Sequence, residues 1–568
     1  MPFRQHPHHH PSSKAQRDHH SPRHHDHHQP PKTQRVDHSS KESPSRMDLY
    51  SSQFITFPFT LFYWTTIVED ILHDPIQTPS QLNQVLKKIQ TTVCQAVGQS
   101  PAAEIQSQTN LDLLVEEKIF AESWQGRVKF FEQTLPFMVD LVKKSPMILG
   151  PHSLNLYYNR HCPTHSTIIS NEGQLPLMGN LNRIPLLARP SSKVMTFTKL
   201  ECACILANAF FLTWPRLSDT REAHIQMPSI NFDTLYMDPR PSTIAKLLMI
   251  IHYFERISER MFQEIASHGV MTVIRKRVDT DQVKEKLCDS LSVTTWPNIS
   301  IDNEGSIEQC ENALHADFAN CYIGGGVLLG GAVQEEIRFC LSPETIVTRL
   351  FVEKLDQNEV LYILGTEQFS EHAGYGSSLQ FKDDYVDKNF IVDEFGHRNF
   401  TSQIMAFDSL YYSHHDKLDQ WQSEHIDREI VKAYAAFSKT PNRLNIDMHN
   451  KIATGNWGCG AFYCDKQLKF LIQYIAAALA KCSLHYYTFG DKDNLADKLH
   501  EFIRIVTTHN FSVFRVYQAL ISMIRLDIIP NLQNKTENYY PSTLKFVLET
   551  LLKEESQQMD VSNSQIME

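Results

Sequence analysis

The stretch CYIGGGVLLGGAVQEEIRF, residues 321–339, places five glycines within eight residues and soon follows them with Gln334, Glu335 and Glu336. Glycine allows sharp backbone turns and close approach to a ligand, and paired carboxylic acids can perform acid–base chemistry. The run ALHADFA directly before this stretch has the composition of a strand. The pattern therefore predicts a strand, a glycine-rich loop and a short helix that begins near Val333.

Two common phosphate-binding loops do not fit these residues. A Walker loop requires a lysine and a serine or threonine after its last glycine, and neither is present. The dinucleotide-binding fingerprint requires a third glycine at the position of Leu329. What remains is a loop whose backbone N–H groups hold a diphosphate. The alternative is that Glu335 and Glu336 only complement the dipole of the helix that they begin.

After about residue 225, strand-like runs alternate with helical ones, and the strand-like runs are VMTVIRKRV, ALHADFA, VLYILG, SQIMAFD and SLHYYTF. Such alternation predicts an α/β layered domain. Ligands of these domains lie beyond the carboxyl ends of the strands. We therefore expect the informative loops to follow ALHADFA, VLYILG, the stretch near Thr454 and SLHYYTF.

A second glycine cluster, TGNWGCGAF at residues 454–462, follows a predicted strand and precedes an amphipathic helix at 466–480. The apolar face of that helix comprises Leu468, Leu471, Ile472, Ile475 and Leu479. Two glycine-rich turns before helix starts can grip a diphosphate from both sides. Three aromatic residues lie on predicted strand-to-helix loops: Tyr375, Phe462 and Phe489. Together they suggest a stacking surface for adenine. The alternative for each residue alone is that its side chain packs in the hydrophobic core.

The composition is that of a globular protein of 568 residues with a net charge of −11. That charge argues against broad nucleic-acid binding, which requires basic patches, and no apolar run approaches the length of a membrane helix. The eleven cysteines contain no C-x-x-C pair, which predicts reduced, structural thiols in a nuclear or cytosolic setting.

The chain divides by its composition into four parts. Residues 1–46 are rich in histidine and predict a disordered tail, with metal binding by the histidines as the alternative. Residues 47–225 have a mainly helical pattern, in which Pro136 bends or begins a helix and the run at 196–215 opens with threonine caps. The α/β part spans 226–555, and 556–568 predicts a second disordered tail.

The segment GGGVLLGGAVQEE resembles the signature of the poly(ADP-ribose) glycohydrolases. The resemblance extends in register over about residues 110–500 and includes LANAFFLTWP, PSINFDTLY, ADFAN, GTEQFSEHAGY, ATGNWGCGAF and YYTFGD. It implies a macrodomain, a three-layer α/β/α fold with a mixed central sheet, preceded by an all-helical accessory domain. It also implies hydrolysis of the ribose–ribose O-glycosidic bonds of poly(ADP-ribose) to release ADP-ribose, through an oxocarbenium-like state.

The resemblance also implies roles for particular residues. Glu336 protonates the leaving ribose oxygen, Glu335 holds ribose hydroxyls, and Asp317 and Asn320 order the site. The remaining predicted substrate contacts are Ile307 and Glu308 beside the adenine, Tyr375 over the ligand, Phe462 and Phe489 beside ribose and adenine, and Gly324, Gly325, Gly326, Gln334, Asn456, Gly458 and Gly460. Two positions depart from the family pattern: His372 stands where a tyrosine is usual, and Tyr463 where a glycine is common.

The resemblance predicts no cofactor and no metal. The expected partners are poly(ADP-ribose) and ADP-ribosylated proteins, without direct contact to DNA or membrane, for a monomer in the nucleus or the cytoplasm. An inactive macrodomain that only reads ADP-ribose chains is the alternative, and the intact Glu335 and Glu336 favour catalysis over it. A dinucleotide-dependent oxidoreductase is disfavoured because the glycine pattern of the dinucleotide-binding fingerprint is incomplete at Leu329.

Overall fold

The structure is a computed structural model, and it describes residues 50–51, 54–98, 100–101, 103–105, 110, 129–150, 183–190, 192–215, 227–260, 265, 269–413, 415–439, 448–490, 493–525 and 542–567. The predicted tail at 1–46 lies outside these residues. Among the described helices, none combines the length and the apolar character required to cross a membrane.

The described strands are β1 Tyr50–Ser51, β2 Phe54–Thr56, β3 Arg183–Pro185, β4 Lys193–Thr198, β5 Val270–Arg277, β6 Ile299–Asp302, β7 Leu314–Ala319, β8 Glu359–Leu364, β9 Ser370–Ala373, β10 Gln380–Asp384, β11 Phe390–Val392, β12 Arg398–Phe400, β13 Gln403–Asp408, β14 Lys451–Gly455 and β15 Ser483–Tyr487. The described α-helices are α1 Pro79–Val97, α2 Leu135–Lys143, α3 Ser145–Ile148, α4 Lys199–Phe210, α5 Asp233–Met237, α6 Pro241–Ser258, α7 Thr280–Cys288, α8 Gln334–Leu341, α9 Ser423–Phe437, α10 Lys466–Ala480, α11 Leu495–Thr508, α12 Val513–Arg525 and α13 Thr543–Met567.

Eight strands form a mixed central sheet in the order β4-β5-β8-β13-β7-β14-β15-β6. The five strands from β13 to β6 are parallel, whereas β4, β5 and β8 join by antiparallel pairing. Alternate residues of β8 enter two separate cores, Leu361 and Ile363 on one face and Val360 and Tyr362 on the other. Helices α1, α2, α4, α6 and α8 cover the first face, and α9 to α13 cover the second. The predicted three-layer α/β/α fold with a preceding helical part is confirmed.

Local sequence explains why these elements form where they do. The five predicted strand runs become β5, β7, β8, β13 and β15. Helix α10 spans the predicted 466–480, and all five residues of its predicted apolar face are buried. Helix α4 begins with the predicted threonine cap, because Thr198 and Glu201 form a capping box. Helix α2 begins one residue before Pro136, where proline is compatible with the first turn.

Two elements of the structure cross the expected domain limits. The edge strand β4 lies before residue 225, inside the region that the pattern assigns to the helical part, because the sheet recruits it by pairing with β5. The predicted tail at 556–568 continues α13, which runs to Met567. Leu544, Val547 and Leu551 anchor the start of that helix in the core, and no proline or glycine follows to end it.

One expected ligand loop begins at the wrong edge of the sheet. Strand β8 is antiparallel to β13, so the loop after VLYILG leaves from the edge opposite to the carboxyl ends of β7 and β13. Strand β9 then follows at Ser370–Ala373, and Tyr375 lies beyond it. The side chain of Tyr375 nevertheless reaches α8, where its hydroxyl accepts a hydrogen bond from the N–H of Gln334 at 3.2 Å.

Candidate active site

The two signature glutamates begin α8, directly beyond the carboxyl end of β7. Helix α8 starts at Gln334 with Val333 as its N-cap, as predicted. The carboxylate of Glu336 accepts two backbone hydrogen bonds, from Gly326 to Oε1 at 2.8 Å and from Val333 to Oε2 at 2.9 Å. The second bond is an ordinary helix-capping contact. The first joins the acid to the glycine triplet.

Glu335 is fixed in a similar way but against the end of the strand. Its Oε2 accepts from the N–H of Asn320 at 2.8 Å, and its Oε1 accepts from the N–H of Gly324 at 2.6 Å. The amide of Gln334 bonds the backbone of β7, donating to Ala316 at 3.1 Å and accepting from Phe318 at 2.8 Å. Helix α8 is therefore locked in register with β7, which brings both glutamates to the edge of the sheet.

Glycine is required at two places because a Cβ atom would strike the carboxylates. At Gly325, which has φ +45°, a Cβ would lie 2.6 Å from the nearest oxygens of both Glu335 and Glu336. At Gly331 it would lie 2.5 Å from Oε1 of Glu336. The glycine-rich loop thus leaves the Oε1 side of Glu336 unobstructed by side chains.

The glycine triplet does not present free N–H groups, as the diphosphate interpretation requires. The N–H of Gly324 donates to Glu335, that of Gly325 to the carbonyl of Tyr322, and that of Gly326 to Glu336. Each donor is already engaged within the protein. In this structure the N–H groups of Gly324 and Gly326 position the two carboxylates, and contact of the triplet with a diphosphate stays a prediction.

A buried lysine from the helical part holds the carbonyl side of this loop. Lys246 on α6 is fully buried, and its Nζ donates to the carbonyls of Gly326, Leu329 and Gly331 at 3.1, 2.6 and 2.6 Å. Burial lowers the pKa of Lys246. The carbonyls of Leu329 and Gly331 thereby gain a donor, and the carbonyl of Gly326, which also accepts from the N–H groups of Leu329 and Gly331, gains a further one. No local signal near the loop predicts this contact, although a lysine inside the apolar run STIAKLLMII suggests a buried cation.

Arg349 supports the first half of the loop. Its Nη1 donates to the carbonyls of Gly325 at 2.9 Å and Ile323 at 3.3 Å, and its Nε donates to Ser229 at 3.2 Å. Burial lowers the pKa of Arg349 to about 10, so the group remains a cation at neutral pH. The sequence alone gives no reason to connect Arg349 with the site.

Asp317 completes a cluster of three buried carboxyl groups. It is fully buried on β7, and neither of its oxygens has a hydrogen-bond partner among the described residues. Burial, and next the carboxylate of Glu336, raise the pKa of Asp317 well above its ordinary value, against a lowering by Arg338. Burial, and then Asp317 and Glu336, also raise the pKa of Glu335. Asp317 and Glu335 therefore favour their protonated forms more strongly than exposed carboxyl groups do.

The second glycine loop follows β14 and is organised differently. The side chain of Asn456 donates to the carbonyl of Thr488 at 3.0 Å and accepts from the hydroxyl of Tyr486 at 3.2 Å. Gly458 has φ +76°, and a Cβ there would lie 2.3 Å from the hydroxyl of Ser409. Among the residues that the structure describes, the N–H groups of Gly458 and Gly460 have no acceptor. This loop therefore presents donors that can hold a diphosphate.

Trp457 supports the second loop from beneath. It is fully buried, and its Nε1 donates to the carbonyl of Phe407 at 3.0 Å. The ammonium of Lys469 lies 3.9 Å from the centre of its ring, and Lys469 is paired in turn with the buried Glu429. The buried Trp457 ring and the Lys469–Glu429 pair therefore support the loop from the core side.

The predicted adenine contacts surround the far end of the same edge. Phe489 follows β15 with 45% of its surface exposed, and the half-buried Glu308 lies after β6. The side chain of Ile307 is packed in the core at 1% exposure, so only its backbone is available to a ligand. His372 is half-buried, and burial lowers its pKa. All the predicted positions thus lie along one edge of the sheet, or reach it as Tyr375 does.

No group of three or more His, Cys, Asp or Glu side chains in the described part of the chain is arranged to hold a metal ion. The histidine-rich segment 1–46 lies outside that part.

This geometry defines the class of protein as a macrodomain-type α/β/α fold with a carboxylate site and a diphosphate-type loop. Two family models match the chain: "Poly (ADP-ribose) glycohydrolase (PARG), helical domain" at residues 123–275 and "Poly (ADP-ribose) glycohydrolase (PARG), Macro domain fold" at residues 282–496. The chain therefore belongs to the poly(ADP-ribose) glycohydrolase family, and it is a glycosidase of that family. The helical-domain model extends to residue 275, well beyond the expected boundary at 225.

Curated relatives agree with this assignment. The chain is 28% identical over 462 residues to poly(ADP-ribose) glycohydrolase 1 of Arabidopsis thaliana, a match that covers 69% of this chain and 78% of the relative. It is 30% identical over 338 residues to poly(ADP-ribose) glycohydrolase 2 of Caenorhabditis elegans, covering 58% and 64%. A solved poly(ADP-ribose) glycohydrolase from Deinococcus radiodurans in complex with ADP-ribose aligns at 13% identity and a TM-score of 0.25, covering 43% of this chain and 97% of that one.

Proposed function

We propose that this chain hydrolyses the ribose–ribose O-glycosidic bonds of poly(ADP-ribose), with Glu336 as the catalytic acid. One observation carries the assignment of Glu336. Its carboxylate is buried at 6% exposure and held by two backbone N–H groups, and Gly325 and Gly331 keep side-chain atoms away from its Oε1. A purely helix-capping glutamate needs only the bond to Val333 and no such clearance.

In the proposed reaction Glu336 gives one proton to the leaving group and later takes one proton from water. Glu336 donates its proton to the leaving ribose oxygen as the bond from C1″ to that oxygen breaks. Positive charge develops on the remaining ribose, as in other glycoside cleavages. Glu336, now a carboxylate, takes a proton from water, and the resulting hydroxide adds to C1″. The products are ADP-ribose and a shortened chain that ends in a free hydroxyl, and Glu336 is again protonated.

The two neighbouring carboxyl groups have supporting roles in this proposal. Glu335 is buried and locked by Asn320 and Gly324, so its oxygens offer fixed acceptors for the ribose hydroxyls. Asp317 lies inside the cluster with no partner for either oxygen among the described residues. The raised pKa values of Asp317 and Glu335 limit the negative charge around Glu336.

The diphosphate of the substrate is proposed to lie on the second glycine loop. The N–H groups of Gly458 and Gly460 point to no acceptor in the described part of the chain. A diphosphate held there is close enough to stabilise the cationic ribose electrostatically. Backbone N–H donors can neutralise a diphosphate without a metal ion, which supports a reaction that needs no metal cofactor.

The partner is proposed to be poly(ADP-ribose), free or attached to proteins, without direct binding to DNA. The net charge of −11 supports the latter point. We further propose a monomer that acts in the nucleus or the cytoplasm.

The test uses defined poly(ADP-ribose), the wild-type chain and Glu336→Gln. The wild-type chain is expected to release ADP-ribose, and the variant to lose roughly 10²–10⁴-fold or more in turnover while it still binds ADP-ribose. Chromatography measures the products and calorimetry the binding. A variant that keeps more than about a tenth of wild-type turnover removes Glu336 from the acid role, since general acids contribute more than that. A wild-type chain that binds the polymer without cleaving it supports the alternative that the protein is an inactive macrodomain that only binds ADP-ribose chains.

A further inference from the structure

Two exposed tyrosines lie beside the second glycine loop and have no role in the reaction described above. Tyr411 is 60% exposed and Tyr463 is 38% exposed. The centre of the Tyr411 ring lies 6.4 Å from that of Tyr463 and 5.7 Å from that of Phe462. Large aromatic side chains that remain in water together at a binding edge require an explanation.

The backbone at Tyr463 strengthens the case for a function. Tyr463 has φ +58°, the left-handed region that is costly for a residue with a side chain. Burial of the ring does not offset that cost, because more than a third of it remains exposed. A glycine would adopt this conformation more easily, so the tyrosine is retained at the expense of stability.

The two tyrosines are held together by the backbone of their loops. The N–H of Tyr412 donates to the carbonyl of Phe462 at 3.1 Å. Gly458 approaches Ser409 so closely that a Cβ there would lie 2.3 Å from its hydroxyl. The loop after β13 and the loop after β14 therefore meet across the end of β7, the strand between them.

The position along the edge indicates what these rings contact. The adenine contacts lie after β6 and β15, and the catalytic loop lies after β7. Tyr411 follows β13, on the opposite side of β7 from the adenine contacts. A chain that enters with its adenine at β6 and its scissile bond at β7 continues on the side of β13.

We propose that Tyr411 and Tyr463 form a stacking platform for the adenine of the leaving unit of poly(ADP-ribose). This inference rests on the proposed function. The leaving oxygen belongs to the ribose of an adenosine, so a second adenine lies one sugar beyond the scissile bond. Exposed aromatic rings bind bases of single-stranded polymers by stacking, since every base presents a π-face. The platform gives the enzyme affinity for a chain over free ADP-ribose.

The experiment compares ADP-ribose with a chain of two ADP-ribose units, and binding is measured by calorimetry in a Glu336→Gln background so that no turnover occurs. Tyr411→Ala and Tyr463→Gly are each expected to weaken binding of the two-unit chain by roughly fivefold or more, as the loss of base stacking does elsewhere. Binding of ADP-ribose alone is expected to change by less than about twofold in Tyr411→Ala, because Tyr411 lies on the other side of β7 from the adenine contacts. Tyr463→Gly is expected to unfold at the same or a higher temperature, which excludes loss of folding as the cause.

Two control variants sharpen this comparison. Tyr411→Phe keeps the ring and is expected to retain two-unit binding. Phe395→Ala removes another exposed aromatic, 69% exposed on the β11–β12 hairpin, and is expected to change neither affinity. Equal two-unit affinity in wild-type, Tyr411→Ala and Tyr463→Gly backgrounds would overturn the platform. So would an equal loss for ADP-ribose, which would place the tyrosines in the first adenine site. Failure of the Glu336-intact chain to cleave polymer is a separate result that rejects the proposed function.

Discussion

The two glycine-rich loops of this protein resemble each other in sequence but differ in the hydrogen bonds that their glycines make. In the first loop the N–H groups of Gly324 and Gly326 are consumed by Glu335 and Glu336, and buried cations hold the carbonyls. In the second loop the N–H groups of Gly458 and Gly460 have no acceptor among the described residues. Glycine in the first loop keeps side-chain atoms away from the carboxylates, and in the second we propose that it provides donors for a ligand.

The comparison teaches that glycine content alone does not identify a phosphate-binding loop. The two loops differ in the residues that follow them in the sequence. In the first loop, N–H groups donate to two glutamates on α8. The helix that follows the second loop, α10, instead has Asp465 as its N-cap, and this side chain accepts from the N–H of Leu468 in its own helix. Changes in the first loop should therefore alter catalytic rate, and changes in the second should alter affinity.

The largest effect is expected for Gly331→Ala. The added Cβ would lie 2.5 Å from Oε1 of Glu336, so the carboxylate must move and lose its bond to Gly326. Displacement of a catalytic group by about 1 Å can cost roughly 100-fold in rate. Steady-state kinetics on defined polymer should show this fall in kcat.

Gly330→Ala is the matched control, because its Cβ would meet only the guanidinium of the exposed Arg240, which can swing away. A similar loss of kcat in both variants would show that the loop responds to any added side chain and that clearance around Glu336 is not the reason for the glycine.

A smaller loss of rate is expected for Lys246→Met. The change leaves the carbonyls of Leu329 and Gly331 without the donor that Lys246 supplies, and each orphaned buried group costs about 1–3 kcal/mol. We expect kcat to fall about tenfold, since distortion of a supporting loop has smaller effects than displacement of the acid itself. Lys199→Met is the control: Lys199 is an equally buried lysine that pairs with Glu344, so its loss should lower the unfolding temperature without a comparable loss of kcat in the folded enzyme. Equal kcat losses would mean that Lys246 acts only through stability.

Gly460→Ala tests the second loop without disturbing the fold. No protein atom lies within 4 Å of the Cβ that this change adds, and the unfolding temperature should stay the same or rise slightly. If the backbone of Gly460 approaches the diphosphate, the dissociation constant of ADP-ribose should rise by about tenfold, or 1.4 kcal/mol. Calorimetry measures the constant, and unchanged affinity would exclude close approach of the ligand at this position.

A gain in stability at alkaline pH is expected from Asp317→Asn. Burial raises the pKa of Asp317 above its value in the unfolded chain, so the wild-type protein gains stability from the protonated form at low pH. It loses that stability as the pH rises through the raised pKa, and each tenfold difference in proton affinity between the folded and unfolded chains is worth about 1.4 kcal/mol. Asparagine cannot ionise, so the variant should gain unfolding temperature relative to the wild type between about pH 4, near the unfolded-state pKa of Asp, and about pH 9. Parallel unfolding temperatures across this range would contradict the raised pKa.

No measurable effect is expected from removal of metal ions. Glu335 and Glu336 are engaged with backbone donors, and a magnesium site usually requires one or two carboxylates. The rate in excess EDTA should agree with the rate in added magnesium to within about twofold, since no octahedral oxygen site is expected. A tenfold fall in EDTA that magnesium restores would show that the assignment of the two glutamates is incomplete.

Much of the fold follows from local patterns in the sequence. The strand before the glycine stretch, the start of α8 after Val333 and the limits of α10 at Lys466–Ala480 agree with the predictions. These elements are set by burial of neighbouring apolar residues and by caps, and such short-range causes are visible in sequence. The edge strand β4 escapes prediction because its place in the sheet depends on β5, which lies more than seventy residues further along the chain.

The candidate site divides in the same way. The sequence by itself determines which carboxylates and glycines are available, because residue type and spacing place Gln334, Glu335 and Glu336 in the first turn of a helix. Only the tertiary structure decides where their hydrogen bonds go. Donors from the glycine triplet reach the carboxylates because the loop folds back over α8, and Lys246 enters from a helix eighty residues earlier. Partners that are distant in sequence meet only when the layers pack, which is why the roles of the two loops cannot be separated until the fold is known.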